Sequence, residues 1–131
     1  MIERKSGAIL NVASTAAFQP GPNMAVYFAT KAFVLSFTEA LHEELKPHGI
    51  HVTCLCPGPT RTEFGNVAGF GGNQLFDHVA MESIDVVNAG LAALDRGQAV
   101  IVPGLVNKIG AAATRFAPRP LARKIAGSIK Y

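Results

Sequence analysis

Gly7-Ala8-Ile9-Leu10-Asn11-Val12-Ala13 is a short apolar run ending in small residues, and with Ile50-His51-Val52-Thr53-Cys54-Leu55-Cys56 it decides the fold. The first stretch predicts a strand buried on both faces. The second alternates, is rich in β-branched residues and stops at Pro57-Gly58-Pro59, which predicts another strand. Between them, Ser14-Thr15-Ala16-Ala17 and the following Gln-Pro-Gly-Pro-Asn carry loop chemistry. Residues 24–46 then mix small and apolar residues without Gly or Pro, predicting a long helix that Lys46, Pro47 and Gly49 close. Further along, Ser83 to Asp95 predicts a second helix with Ser83 as its cap, Asp85 in its first turn and Gly97 after its end. Gln98 to Pro103 predicts a third strand, and Val106 to Tyr131 a helical tail broken at Pro118-Arg119-Pro120. Residues 63–82 hold Gly65, Gly69, Gly71 and Gly72 among Phe64, Val67, Phe70, Leu75 and Phe76, and read as an apolar lid. Strands alternating with helices, joined by crossovers of a dozen residues or more, give an α/β fold with a parallel sheet of right-handed units. Three such strands make a thin sheet, and the outer edge of the first lacks a neighbour. The chain therefore reads as part of a larger domain, poorly soluble and incompletely cooperative when isolated.

Composition narrows the class. A chain of 131 residues supports one core and is too short for two ordinary domains. With 49% hydrophobic residues and eight Phe it is not disordered, and its 13 Gly and eight Pro follow no period. Cys54 and Cys56 cannot make a disulfide framework. Two residues apart on a strand, they point the same way and read as small buried hydrophobes in a reducing compartment. Neither a signal peptide nor an integral membrane segment is expected, since Asn11, Gln19, Asn23 and the prolines interrupt the uncharged stretch from Ser6 to Thr30. The expected setting is the cytoplasm. His42, His48, His51 and His78 have no metal-ligand pairing, so no metal is expected. From Asn107 onward Lys108, Arg115, Arg119, Arg123, Lys124 and Lys130 occur with no Asp or Glu. Such a tail can touch phosphates or anionic lipid, but the plainer reading is a solvated helix face. It matches no groove-reading motif, which disfavours nucleic acid.

Three polar groups stand out. Ser14 follows the first strand, where parallel sheets place their functional residues. Tyr27 and Lys31 lie four residues apart on one helix and share a face. An ammonium within about 4–6 Å of a phenol favours the phenolate, and a phenol so placed can exchange a proton with an alcohol or carbonyl oxygen. A serine hydroxyl on the other side of that oxygen would hold it and donate to its developing charge.

Together these stretches resemble the short-chain dehydrogenase/reductase family, the NAD(P)-dependent oxidoreductases with a Rossmann-type fold. Residues 7–14 are similar to its strand with the catalytic serine, Tyr27-Phe28-Ala29-Thr30-Lys31 to its Tyr-x-x-x-Lys helix, and Pro57-Gly58-Pro59-Thr60-Arg61-Thr62 to its nicotinamide loop. Residues 98–108 are most similar to the reductases called DltE-like. The resemblance implies that Tyr27 is the general acid/base. Lys31 would assist it and hydrogen-bond the nicotinamide ribose, and Ser14 would orient the substrate oxygen. Thr62 and the Thr60 backbone would hold the carboxamide, with Pro57 and Gly58 shaping the turn beneath. The implied reaction is reversible hydride transfer between NAD or NADP and a carbonyl/alcohol pair. Phe64, Val67, Phe70, Leu75 and Phe76 either line an apolar pocket, which leans the substrate toward hydrophobic carbonyls, or pack on the core. The family also implies a homo-oligomer, with the Tyr/Lys helix packed in a dimer interface.

The family's glycine-rich phosphate turn, its Asn-Asn-Ala-Gly segment, its coenzyme-selecting residue and its relay asparagine have no counterpart here. Gly69-Phe70-Gly71-Gly72 has the wrong spacing and follows no strand. Residues 1–131 are thus expected to be the C-terminal half of the doubly wound domain, three strands with flanking helices, from a truncated reading frame or a larger protein. The alternative expectation is a catalytically silent remnant or an interaction module.

Overall fold

The computed structural model describes residues 1–63 and 80–128. Strand β1 (Gly7–Val12) leads through a short 3-10 turn (Thr15–Phe18) to helix α1 (Ala25–Leu45). A second 3-10 turn (Lys46–His48) precedes β2 (Ile50–Leu55). Gly49 sits between them at φ 69°, a left-handed conformation that a side chain would strain. Two-residue strands β3 (Thr60–Arg61) and β4 (Met81–Glu82) follow, then helix α2 (Ser83–Asp95) and strand β5 (Val100–Ile101). Helices α3 (Leu105–Phe116) and α4 (Arg119–Ser128) complete the described residues.

The main sheet has the order β1-β2-β5, all parallel, with β1 in register against β2 from Gly7↔Ile50 to Val12↔Leu55. β3 pairs with β4 as a separate parallel ribbon. Alternate residues of β2 face opposite sides of the sheet. Cys54 and Cys56 pack with Ala13 against Val34 and Leu35 of α1, whereas Leu55 reaches Gly90 of α2. The two helices therefore flank the central strand on opposite faces, the arrangement expected of a doubly wound layer. α1 is pinned to the sheet by buried polar groups. Asn11 Nδ2 donates to Thr38 Oγ1 at 3.0 Å, and His42 Nδ1 donates to the Val52 carbonyl at 2.7 Å. Each satisfies a polar group that burial would otherwise penalise.

The cysteines are free, buried and hydrogen-bonded, with their sulfurs 3.7 Å apart. The bond from Cys54, together with burial, pushes the Cys56 thiol above the ordinary thiol range.

Several expectations need correction. β1 is not buried on both faces: Val12 is 53% exposed and Ala8 is also open. Burial of a strand depends on what lies beside and above it, and among the described residues β1 pairs only with β2. Ser83 does not cap α2. It is the first helical residue, and the cap position falls to Glu82, whose side chain pairs with Arg61 across the β3–β4 ribbon. The third strand is only Val100–Ile101, and the tail breaks at Ala117-Pro118, with Arg119 and Pro120 already helical. The lid expected over 63–82 falls largely outside the described residues, and its last two residues form β4.

Candidate active site

The parallel ladder does not stop at the strand ends. Ala13 N donates to the Leu55 carbonyl and Thr15 N to the Pro57 carbonyl, both at 2.8 Å. Ser14 lies between these two bonds, so its backbone is held to the sheet and to the loop that leaves β2. Its extended conformation and its Oγ, which accepts from Ala16 N at 3.1 Å, start the 3-10 turn.

Across from this turn, Met24 N donates to the Gly21 carbonyl and Phe28 N to the Met24 carbonyl, starting α1. Tyr27 is half-buried and Phe28 is buried, with their rings edge to face, centroids 5.9 Å apart at 76°. Lys31, one turn on, is half-buried. Its Nζ donates to the Val12 carbonyl at 3.2 Å and lies 5.7 Å from the Tyr27 ring centroid, within cation–π range. The last carbonyl of β1 thus aims the ammonium at the phenol. Sequence spacing placed the two side chains on one face, but this anchor on Val12 had no sequence signal.

The loop after β2 makes the facing wall. Thr60 Oγ1 donates to the Gly58 carbonyl at 2.9 Å, and Met81 N donates to the Pro59 carbonyl at 3.0 Å. Gly58 owes its place to a close approach: a Cβ there would come within 2.4 Å of the Asn107 side chain. Asn107 Nδ2 in turn donates to the Pro103 carbonyl at 3.0 Å. This contact between the loop and α3 was invisible in the sequence, because its partners are distant in the chain and neither is unusual alone.

These walls enclose a pocket of about 450 Å³ at the carboxyl ends of β1 and β2. Ser14, Tyr27, Pro57, Gly58, Thr60 and Thr62 all line it. Lys31 does not; it stands behind Tyr27 on the Val12 carbonyl. Sequence reasoning missed the apolar lining from Met24, Phe28, Leu55, Val86 and Val87. A regular helix pattern in residues 83–95 predicts α2 but not which of its residues reach a pocket. Crevices outside the carboxyl ends of parallel strands are where α/β sheets bind ligands.

The family model described as short chain dehydrogenase matches residues 1–69. Among curated proteins, the chain is similar to the very-long-chain 3-oxoacyl-CoA reductase of Bos taurus, with 42% identity over 67 residues, 51% of this chain and 22% of that protein. Among solved structures, it is similar to a short-chain dehydrogenase from Sphingobium yanoikuyae in complex with NADPH, at TM-score 0.71 and 31% identity, covering 99% of this chain and 48% of that one. A short chain dehydrogenase from Burkholderia cenocepacia in complex with NADP gives TM-score 0.75 and 30% identity, covering 95% of this chain and 50% of that one. The chain thus spans about half the length of these solved relatives.

Proposed function

The chain belongs to the short-chain dehydrogenase family, with its Rossmann-like α/β fold, and from that premise we propose that it forms the catalytic and nicotinamide-facing half of an NAD(P)-dependent carbonyl reductase. The supporting observation is the pocket that gathers Ser14, Tyr27 and the Pro57–Thr62 loop at the carboxyl ends of the strands. Its chemistry suits a nicotinamide: mostly apolar walls for a flat ring, with a few hydroxyls and loop backbone for the ring's amide. Thr62 and the backbone at Thr60 would hold that amide above Pro57 and Gly58, and Lys31 and Tyr27 the adjoining ribose. When bound, the cofactor supplies or accepts the hydride.

The chain's own residues handle the oxygen and its proton. Ser14 Oγ donates to the carbonyl oxygen and fixes its direction. Tyr27 delivers its phenolic proton to that oxygen during reduction and takes it back during oxidation. The Lys31 ammonium, held by Val12, stabilises the phenolate that remains. The apolar lining from Met24, Phe28, Val86 and Val87 favours a hydrophobic carbonyl compound. A cytoplasmic setting belongs to the same reading, supported by two cysteines without a disulfide.

The protein carrying this chain is expected to consume NADPH or NADH with hydrophobic ketones or 3-oxoacyl thioesters, read as loss of nicotinamide absorbance. Absence of turnover across such a carbonyl panel with both coenzymes would leave the silent-remnant reading in its place. We further assign a subunit contact to α1, whose Phe33 and Phe37 stack on its outer face with centroids 5.8 Å apart and rings 8° from parallel. Phe33→Asp is expected to dissociate a homo-oligomer in analytical ultracentrifugation. An unchanged sedimentation coefficient would remove α1 from the interface.

A further inference from the structure

Three successive carbonyls of the loop leaving β2 are hydrogen-bonded. Pro57 accepts from Thr15 N, Gly58 from Thr60 Oγ1 and Pro59 from Met81 N. These bonds tie the loop to the first 3-10 turn and to β4, and Asn107, in the first turn of α3, holds it from behind. The three heavy atoms nearest to where a Gly58 Cβ would stand all belong to the Asn107 side-chain amide. Gly58 is not in the left-handed region, so the obstacle to a side chain there is Asn107 and not the backbone. The amide is itself fixed. Its Nδ2 donates to the Pro103 carbonyl at 3.0 Å and lies 3.9 Å from Met81 Sδ. Gly104, at φ 82°, has no side chain where one would meet that sulfur and that nitrogen. A recess of about 180 Å³ between the first 3-10 turn and α3 adjoins Asn107, so without the bond to Pro103 the amide would have space to turn away from the loop.

We propose that Asn107 is a positioning residue for the nicotinamide, a role that rests on the reading of the Pro57–Thr62 loop as the nicotinamide site. Anchored on Pro103, the amide acts as a wedge. It sets how far Gly58 stands from α3, and so the level at which the loop presents Thr60 and Thr62 to the ring's amide. Gly58 and Thr60 line the main pocket and Asn107 does not, so Asn107 acts through the loop and not by touching the reacting atoms. Asparagine suits the post. Leucine has a similar shape but lacks the donor that keeps the side chain on the Pro103 carbonyl. The glycine-rich phosphate turn has no counterpart in this chain, so the adenosine end of the coenzyme is expected to be held by other residues and to be indifferent to Asn107.

The test is calorimetric titration of the full-length protein carrying this chain with NADPH and NADH. Parallel titrations use 2′-phospho-ADP-ribose and ADP-ribose, which lack the nicotinamide ring. Asn107→Ala is expected to weaken the preferred coenzyme about tenfold, the size of one lost polar contact, while its ring-free counterpart binds within about twofold of wild type. Alanine is a good helix former, so α3 is expected to persist. Gly58→Ala is expected to weaken the coenzyme about tenfold or more, because the methyl must push the amide off the Pro103 carbonyl. In the double variant the methyl enters the space the amide has left, and affinity is expected to recover about threefold or more relative to Gly58→Ala alone. Equal loss of both kinds of ligand in Asn107→Ala would mark a merely structural residue and overturn the proposal. So would unchanged coenzyme affinity in that variant, or a double variant in which the two losses add. A wild-type protein that binds neither coenzyme would remove the nicotinamide reading and this role with it, whereas normal wild-type binding with an indifferent Asn107→Ala removes this role alone.

Discussion

Replacing Tyr27 by phenylalanine is expected to lower kcat of the protein carrying this chain by about a thousandfold, with a small change in KM. The substitution removes one oxygen and leaves the ring, so the edge-to-face contact with Phe28 and the cation–π contact with Lys31 persist. The transferable proton disappears with that oxygen. Substrate binding by the apolar lining does not require it, whereas the carbonyl oxygen acquires negative charge as hydride arrives and needs a donor at that moment. Single-turnover oxidation of NADPH in the variant measures the chemical step directly. A variant retaining full kcat would show that another group moves the proton, and the assignment of Tyr27 would fail.

Phe28→Ala is expected to cost about 3 kcal/mol of stability. The ring is 5% exposed, few other large side chains are buried among the described residues, and it closes over Gly21 so tightly that a Cβ there would come within 2.1 Å of it. Deleting the ring leaves a void between the loop before α1 and the helix, and the glycine cannot fill it. The same ring also lines the pocket, so the variant is expected to widen it and relax selection among bulky carbonyls. A fall in the urea midpoint at unchanged m-value measures the first effect, and relative kcat/KM for slender and bulky ketones the second. A loss below about 0.5 kcal/mol would place Phe28 outside the core.

The features legible in the sequence were those carried by local periodicity. Tyr27 and Lys31 declared their shared face by being four residues apart. Ser14 declared its place by following an apolar strand, and the parallel order followed from the lengths of the crossovers. What stayed hidden depends on contacts between distant segments. Val12 anchors Lys31 through a carbonyl, which every residue possesses, so no residue type marks it. Gly58 makes room for Asn107, yet as sequence it looked like part of a Pro-Gly turn. The exposure of β1 depends on neighbours, and its own residues read as buried. Ser83 has the chemistry of a cap, but the β3–β4 ribbon fixes Glu82 in extended geometry and starts the helix one residue earlier than the cap preference suggests.

Because hydrogen bonds on both sides of Ser14 continue the sheet, its backbone is tied to β2 and to the loop that leaves it. Little backbone freedom remains there for accommodating reactants of different girth. Accommodation falls instead to pliable side chains on the opposite rim, above all the unbranched thioether of Met24. In the reading proposed above, a mount of this kind would hold the reacting oxygen in one place while the opposite rim adjusts to whatever is attached to it.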